Sequence, residues 1–254
     1  MDSRVDERRT LRLPMVHRHL GDKRFAYTLP RALALQILVP GNASALVQHV
    51  HGGLWAHKNR AVSEMVYIAY SNRDLRTVMR TAHTHVKGVD SRGHRYHSLN
   101  PELFFFQHAT YVDTLITSIE TFHRPLSFDD KSELYRECRL WYTKYDISDR
   151  AQPATYGDFV DYFDDYCATR LETTPDTALL VDETLHPTTW LPRKVPPSAI
   201  RAMLHPRAAE LLEIDVRPAD RAALRLFAAR TRTAIAATPA RYRLMPAARH
   251  DPDV

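Results

Sequence analysis

The placement of proline is the feature of this sequence that most constrains its fold. The 254 residues include sixteen prolines but only seven glycines. Many of these prolines stand one or two residues into an apolar-periodic stretch, a position where proline begins a helix instead of breaking one. The chain is 44% hydrophobic and 26% charged, a composition that can bury a large core. We therefore predict an all-α fold, a helical bundle forming a single domain over residues 1–254.

The two ends of the chain carry weaker helix signals than its middle. Residues 1–30 are charged and indicate an irregular N-terminal extension, so the first predicted helical region begins near Arg31 and breaks at Pro40. The segment 240–254, which is rich in arginine, indicates a flexible, solvated tail. Apolar periodicity predicts further helices near residues 59–71, from Asp74 onward, near 198–213 and near 218–237. A turn signal within 89–96 predicts a small hairpin.

The sequence favours a protein without disulfides that is not inserted into a membrane. It has no run of about 18 apolar residues, and its N-terminus lacks the apolar core of a secretory signal. Cys138 and Cys167 lie on apolar helical stripes without Cys-x-x-Cys spacing, so we expect buried free thiols. We expect a soluble, cytoplasmic protein with no stable membrane insertion.

Charge and motif content exclude several function classes. The net charge is +5, but basic and acidic residues are interleaved through most of the chain, and no nucleic-acid motif accompanies them. We therefore expect no nucleic-acid partner. The glycine-rich nucleotide loops, the Gly-x-Ser-x-Gly elbow and the His-Glu-x-x-His zinc motif are all absent from the sequence. Hydrolase and nucleotide-dependent activities have no support.

The best-marked helix of the chain begins after Asn100. Asn100 is a good N-cap, Pro101 fits the first helical position, and Glu102 suits the positive end of the helix dipole. His108 falls on its apolar stripe, one turn after Phe104, and therefore points inward. The other members of this stripe are Tyr111, Leu115, Ile119 and Phe122. A ring nitrogen there needs a partner from a distant group or a metal.

Two downstream helices have clear start signals. Ser127 with Asp130, and Thr155 with Asp158, have the spacing of a capping box. Each pair precedes an apolar-periodic stretch rich in aromatic residues. We expect these aromatic side chains to be buried in the core.

The fourteen histidines raise the possibility of a metal site. A haem would give the His108 nitrogen a metal and would offer the neighbouring phenylalanines a large flat apolar surface. A rival arrangement consists of Glu120 with His123 and Glu183 with His186, which match the Glu-x-x-His spacing of di-iron carboxylate bundles. Both histidines stand at helix ends, which weakens this rival.

Ordered motifs between Ala45 and about Asp182 resemble a known family. They are Leu46-Val47-Gln48 leading to His51, Lys87-Gly88-Val89-Asp90, Gly93 to Glu102, His108-Ala109-Thr110 followed by Val112-Asp113, and Arg124-Pro125-Leu126-Ser127. The segment resembles the b-type haem oxygenases that include latex clearing protein (rubber oxygenase) and the MpaB oxygenase of mycophenolic acid biosynthesis. The later Trp141-Tyr142, Ser148-Asp149-Arg150 and Leu171 to Pro175 look like the actinobacterial branch.

The resemblance implies a helical bundle of the rubber-oxygenase type that encloses haem b. It implies that His108 is the proximal ligand of the haem iron, and we expect contacts to the cofactor from His108 and its helix neighbours Phe104, Tyr111 and Val112. The expected catalytic residues on the opposite face of the iron are His51, His57 and Arg60. In this chain His51 is followed by glycine where the family usually has proline, and Arg60 is followed by alanine where rubber oxygenase has threonine after a distal lysine.

The resemblance also implies an oxidoreductase that uses O2 as co-substrate. We expect a small apolar organic substrate, because the predicted lining is aromatic and aliphatic, and the reaction classes open to it are oxidative cleavage of a carbon-carbon double bond, hydroxylation and desaturation. Arginine or a protonated histidine would stabilise negative charge on reacting oxygen. Two alternatives stay open at this point: a non-haem di-iron oxidase, and a haem-binding sensor or carrier without turnover.

Overall fold

The computed structural model describes residues 13–71, 73 and 76–249, with nothing described for the Arg76 side chain. These residues form thirteen α-helices and one two-stranded antiparallel sheet. The helices are α1 (Pro14–His19), α2 (Lys23–Gln36), α3 (Pro40–His49), α4 (Leu54–Tyr70), α5 (Arg76–His83), α6 (Pro101–Phe122), α7 (Phe128–Thr143), α8 (Tyr156–Thr169), α9 (Pro175–Leu185), α10 (Pro197–Met203), α11 (Pro206–Leu211), α12 (Pro218–Ala236) and α13 (Ala240–Arg243). The strands are β1 (Lys87–Val89) and β2 (Arg95–His97). The all-α prediction is confirmed.

Helix α6 runs through the centre of the bundle. It lies along α2, with α7 and α12 also against it. Its 22 residues carry buried side chains on nearly every face, as expected of a helix enclosed by other helices. Asn100 caps it, since its side chain accepts from the backbone N–H of Glu102 at 2.9 Å, and Pro101 occupies its first turn. The predicted start of this helix is confirmed.

An ion pair fixes the pairing of α2 with α6. Arg31 donates from Nε and Nη2 to the two carboxylate oxygens of Asp113, at 2.6 and 3.0 Å. Its Nη1 donates to the backbone carbonyl of Met203 at 3.0 Å, so the same guanidinium also holds α10. This bidentate geometry, largely out of solvent, orients the two central helices relative to each other.

Most helix starts follow their local signals. Both predicted capping boxes are present, Ser127 with Asp130 at α7 and Thr155 with Asp158 at α8. The predicted hairpin is also present, with Gly88 opposite Tyr96 in its register. One boundary prediction is wrong: the helix expected over 198–213 is two helices, because Pro206 begins α11 after a break at Leu204.

The predicted irregular N-terminal extension is wrong for residues 14–30. These residues form α1 and the first part of α2, which Asp22 caps by accepting from the backbone N–H of Arg24 at 2.8 Å. Pro30 lies inside α2, so it does not mark the beginning of a helix. Val16 and Phe25 are fully buried. The N-terminal segment is therefore part of the core from α1 onward.

The segment 240–249 is also packed, contrary to the predicted flexible tail. Met245 donates its backbone N–H to the carbonyl of Gly21 at 2.8 Å, and Asp22 forms an isolated bridge with Leu244. Met245 and Ala248 are buried, the latter in a short 3₁₀ helix (Pro246–Arg249) that lies against α4. The remainder of that predicted tail, 250–254, lies outside the described residues.

Candidate active site

A cavity of about 340 Å³ lies between α3, α4, α5 and α6. Its size falls in the range of small-molecule sites in proteins. Each helix contributes several wall residues, and Val50, His85, Val86, Ser98 and Tyr145 from outside these helices complete the lining. The wall combines apolar and polar groups: Asn42, Ala45, Leu46, His49, Val50, His57, Lys58, Arg60, Ala61, Glu64, Met65, Met79, Ala82, His83, His85, Phe104, Gln107, His108 and Tyr111.

His108 is the most enclosed histidine of this wall. Its residue is 4% exposed, and burial lowers the pKa of its imidazole to about 3. The ring is therefore neutral at physiological pH and carries one proton. Its Nε2 lies 3.2 Å from the backbone carbonyl of Cys138, which can only accept, so the proton is on Nε2. Nδ1 then presents a lone pair that is buried and has no hydrogen-bond partner in the described part of the chain.

Aromatic rings hold the His108 side chain in place. The ring centroid of Trp141 lies 4.4 Å from that of His108, Tyr142 lies at 5.0 Å and Tyr145 at 5.8 Å. Phe105, three residues earlier on α6, follows at 6.2 Å. The imidazole therefore has one orienting hydrogen bond and an apolar enclosure.

His108 and the apolar residues of the cavity wall have the properties that a haem site requires. A metal-binding histidine is neutral, donates its other ring N–H to a carbonyl or carboxylate, and leaves one nitrogen free for the metal. His108 meets each of these requirements, and the apolar wall residues suit a porphyrin face. Across residues 13–71, 73 and 76–249, no three His, Cys, Asp or Glu side chains are grouped so that they could hold a metal ion. A haem needs only one such protein ligand on a face.

Four of the other residues predicted from sequence line this cavity. Phe104 and Tyr111 flank His108 on α6, and His57 and Arg60 belong to the α4 wall. The pKa of His57 is lowered to about 4, chiefly by burial, with further contributions from the charges of Lys58 and Arg60. This histidine is neutral at physiological pH, so it is not the protonated histidine considered from sequence.

The other two predicted residues lie outside the cavity lining. His51 follows α3 and is exposed, just before two glycines with positive φ that separate α3 from α4. Val112 is fully buried in the core, but it is not among the residues that line the cavity. We therefore assign neither residue to the site.

Lys58 is a functional candidate in the cavity wall that the sequence did not lead us to predict. It is 6% exposed, and its Nζ donates to Gln36 Oε1 at 2.6 Å. Gln36 Nε2 in turn donates to Thr110 Oγ1 at 2.7 Å. The signal was present in the sequence, because Trp55, Lys58 and Val62 share one helical stripe of α4, and a lysine on such a stripe is unusual.

The Glu-x-x-His pairs do not form a di-iron site. Glu120 is exposed and pairs with Lys131 at 2.9 Å. Glu183 accepts from the backbone N–H of Leu54 at 2.7 Å, and His186 is exposed beside Asp182. Since these groups already have separate surface or capping roles, the di-iron alternative is wrong.

Comparison with known proteins identifies the family. The family model described as "ER-bound oxygenase mpaB/B'/Rubber oxygenase, catalytic domain" matches residues 17–233. The chain belongs to this family. The family description agrees with the predicted oxygenase class. No curated protein and no solved structure matches the chain.

The family match covers half of α1, all of α2 to α11 and most of α12, and it therefore includes every residue of the cavity wall. Among the described residues of this oxygenase-family chain, none of the helices has the length and apolar character required to span a bilayer.

Proposed function

We propose that this protein is a haem b-dependent oxygenase that uses O2 to oxidise a small, largely apolar molecule in the cavity beside His108. The observation that carries the proposal is the Nδ1 lone pair of His108, which is buried, neutral and without a protein partner in the described residues. A buried polar atom without a partner destabilises a fold by about 1–3 kcal/mol, so its retention needs a reason. A metal ligand role supplies one.

The residues that would hold the haem are those of the α6 wall. His108 would bind the iron through a ring nitrogen, and the Cys138 carbonyl would keep the ring in the tautomer that leaves Nδ1 free. Phe104 and Tyr111, on either side of His108, would provide apolar surface. Haem, when bound, supplies a redox-active iron for the chemistry of O2.

The polar residues of the α4 wall have a separate task. Arg60 brings a cation to the cavity, and a positively charged donor of this kind stabilises negative charge that develops on oxygen in a reaction. His57, being neutral, can donate or accept a hydrogen bond without adding charge. Apolar wall residues such as Leu46, Met65 and Met79 exclude water from a bound apolar substrate.

The visible spectrum of the purified, hemin-reconstituted protein tests the cofactor. We expect an intense Soret band that is lost or strongly shifted in His108→Ala. The matched control is His186→Ala, since His186 is exposed and lies outside the cavity lining, and this variant should keep the wild-type spectrum. Absence of the band from the wild-type protein would refute haem binding.

Oxygen consumption tests the activity. Wild-type protein with bound haem should take up O2 in the presence of a suitable apolar substrate, and His108→Ala should not. A protein that binds haem through His108 but consumes no O2 with any apolar compound tried would be a haem sensor or carrier instead of an oxygenase.

A further inference from the structure

Lys58 is a buried cation with no counter-ion in the part of the chain that the structure describes. The residue is 6% exposed, and its ammonium donates to the neutral amide oxygen of Gln36. No carboxylate pairs with it among the described residues, and the one acidic side chain of the described cavity wall, Glu64, is exposed. Buried charges in proteins are paired or hydrogen-bonded, because an isolated charge away from water is costly.

A chain of hydrogen bonds fixes the direction of this ammonium. Thr110 donates its hydroxyl hydrogen to the backbone carbonyl of Gln107 at 2.7 Å, so its oxygen is free to accept. It accepts from Gln36 Nε2 at 2.7 Å. This contact determines which end of the Gln36 amide is the NH2 group, and Oε1 must then face Lys58. Gln36 and Thr110 are fully buried, so water does not compete for these bonds.

Two donors of the Lys58 ammonium therefore have no acceptor in the described residues. An ammonium has three N–H groups, of which Gln36 takes one. Lys58 is part of the cavity wall, so a bound molecule can reach the other two. A carboxylate would satisfy both, because it has two acceptor oxygens and the opposite charge.

We propose that the substrate of this oxygenase has an apolar chain and a carboxylate, and that Lys58, held by Gln36 and Thr110, is the counter-ion of that carboxylate. The inference rests on the proposed function for its oxygenase site. The rest of the cavity suits the chain, because Leu46, Val50 and Met79 provide aliphatic surface. A haem propionate is a second possible source of the same carboxylate chemistry, and the experiment distinguishes the two.

Calorimetric titration of the purified full-length chain tests the proposal, using decanoate and 1-decanol as ligands of equal chain length. We expect decanoate to bind at least about tenfold more tightly, as charge-assisted hydrogen bonds imply. Lys58→Met retains an unbranched side chain that is one atom shorter and removes the charge, so this preference should fall to about one. Equal binding of the two ligands by the wild-type protein would overturn the proposal.

The Thr110 pair of variants tests the positioning role. Thr110→Val removes the hydroxyl at nearly constant shape and releases the Gln36 amide, so the preference for decanoate should weaken several-fold. Thr110→Ser keeps the hydroxyl and should retain the preference. A structural role alone would not separate the affinity for decanoate from that for 1-decanol. If Thr110→Val and Thr110→Ser show the same preference for decanoate over 1-decanol, the positioning role is refuted. Circular dichroism verifies that each variant is folded.

The source of the carboxylate is tested with hemin and its dimethyl ester, which lacks propionate charges. A substrate carboxylate predicts that Lys58→Met binds both porphyrins as the wild-type protein does. If Lys58→Met instead weakens hemin binding while leaving the ester unaffected, and decanoate has no advantage, the partner is the cofactor and the substrate assignment is wrong. The decanoate titration does not depend on a Soret band, so failure of this inference and failure of haem binding are separable.

Discussion

Acidification should destabilise the haem-free protein through His108, and the structure gives the size of the effect. The pKa of this imidazole is about 3 in the folded state against an ordinary value of 6.5, because burial disfavours the charged ring. Between these values the unfolded chain binds the proton and the folded chain does not, so stability is lost as the pH falls. The contribution is fully present above pH 6.5 and declines from there toward pH 3.

The magnitude follows from the width of this window. Each pH unit below the pKa of the imidazole in the unfolded chain lowers the free energy of unfolding by about 1.4 kcal/mol. The 1.5 units between 6.5 and pH 5 therefore lower it by roughly 2 kcal/mol through His108 alone. His19, His57 and His123 also have lowered pKa values and add to the acid sensitivity of the whole protein. The contribution of His108 must therefore be isolated by comparison with a variant.

Urea denaturation at pH 7 and pH 5 provides that comparison. His108→Phe places a non-titrating ring of similar size among Trp141, Tyr142 and Tyr145, while the other histidines are unchanged and cancel. On acidification the wild-type protein should lose about 2 kcal/mol more of unfolding free energy than the variant. His186→Ala, a change at an exposed histidine, should keep the wild-type pH dependence. Identical pH dependences for wild type and His108→Phe would show that His108 is not a buried neutral imidazole.

Four further substitutions test the packing. Asn100→Ala removes the cap of α6 and should cost about 1 kcal/mol in chemical denaturation. Asp113→Asn breaks the bidentate pair with Arg31 and should cost about 2–3 kcal/mol, measured in the same way. Gly21→Ala should lower the melting temperature by an amount equivalent to about 1–3 kcal/mol, because the added Cβ would overlap the Ala248 methyl. Lys58→Met should raise the stability of the ligand-free protein, since it removes a buried charge that has no counter-ion in the described residues; a loss of stability would contradict this.

Local sequence signals predicted the elements that local chemistry determines. The α6 start depends on Asn100 and Pro101, and the α7 and α8 starts depend on capping boxes whose members are three residues apart. The inward direction of His108 follows from helical periodicity alone. Each of these features involves groups within about one helical turn, so a single sequence contains all the information needed.

Long-range contacts explain where prediction failed. Residues 14–30 and 244–248 contact each other through Gly21 and Met245, which are more than two hundred positions apart in the chain. Pro30 was interpreted as the end of an irregular segment, but it lies inside α2 and is buried. Tertiary packing outweighed the local preference in both cases.

The candidate site could be predicted only in part for the same reason. His108, Phe104 and Tyr111 share one helix, so periodicity placed them together. The Lys58, Gln36 and Thr110 chain joins three helices, and its members have no sequence relation to one another. Spacing along the sequence cannot show that these three residues are close together in the folded chain. Their hydrogen bonds hold the Lys58 ammonium in a fixed position in the cavity wall.

Two of the cavity-wall groups that lack a hydrogen-bond partner support the same proposal, one as an acceptor and the other as a donor. The His108 Nδ1 atom is a buried acceptor without a donor, and the Lys58 ammonium is a buried cation without an anion among the described residues. A chain selected for stability alone would replace both by apolar residues of similar volume, since each lowers the free energy of unfolding. They lie in one cavity, and a hydrogen bond to a fixed neighbour orients each of them. The two proposals made above give each group a partner from a bound molecule: a metal for the lone pair and a carboxylate for the ammonium.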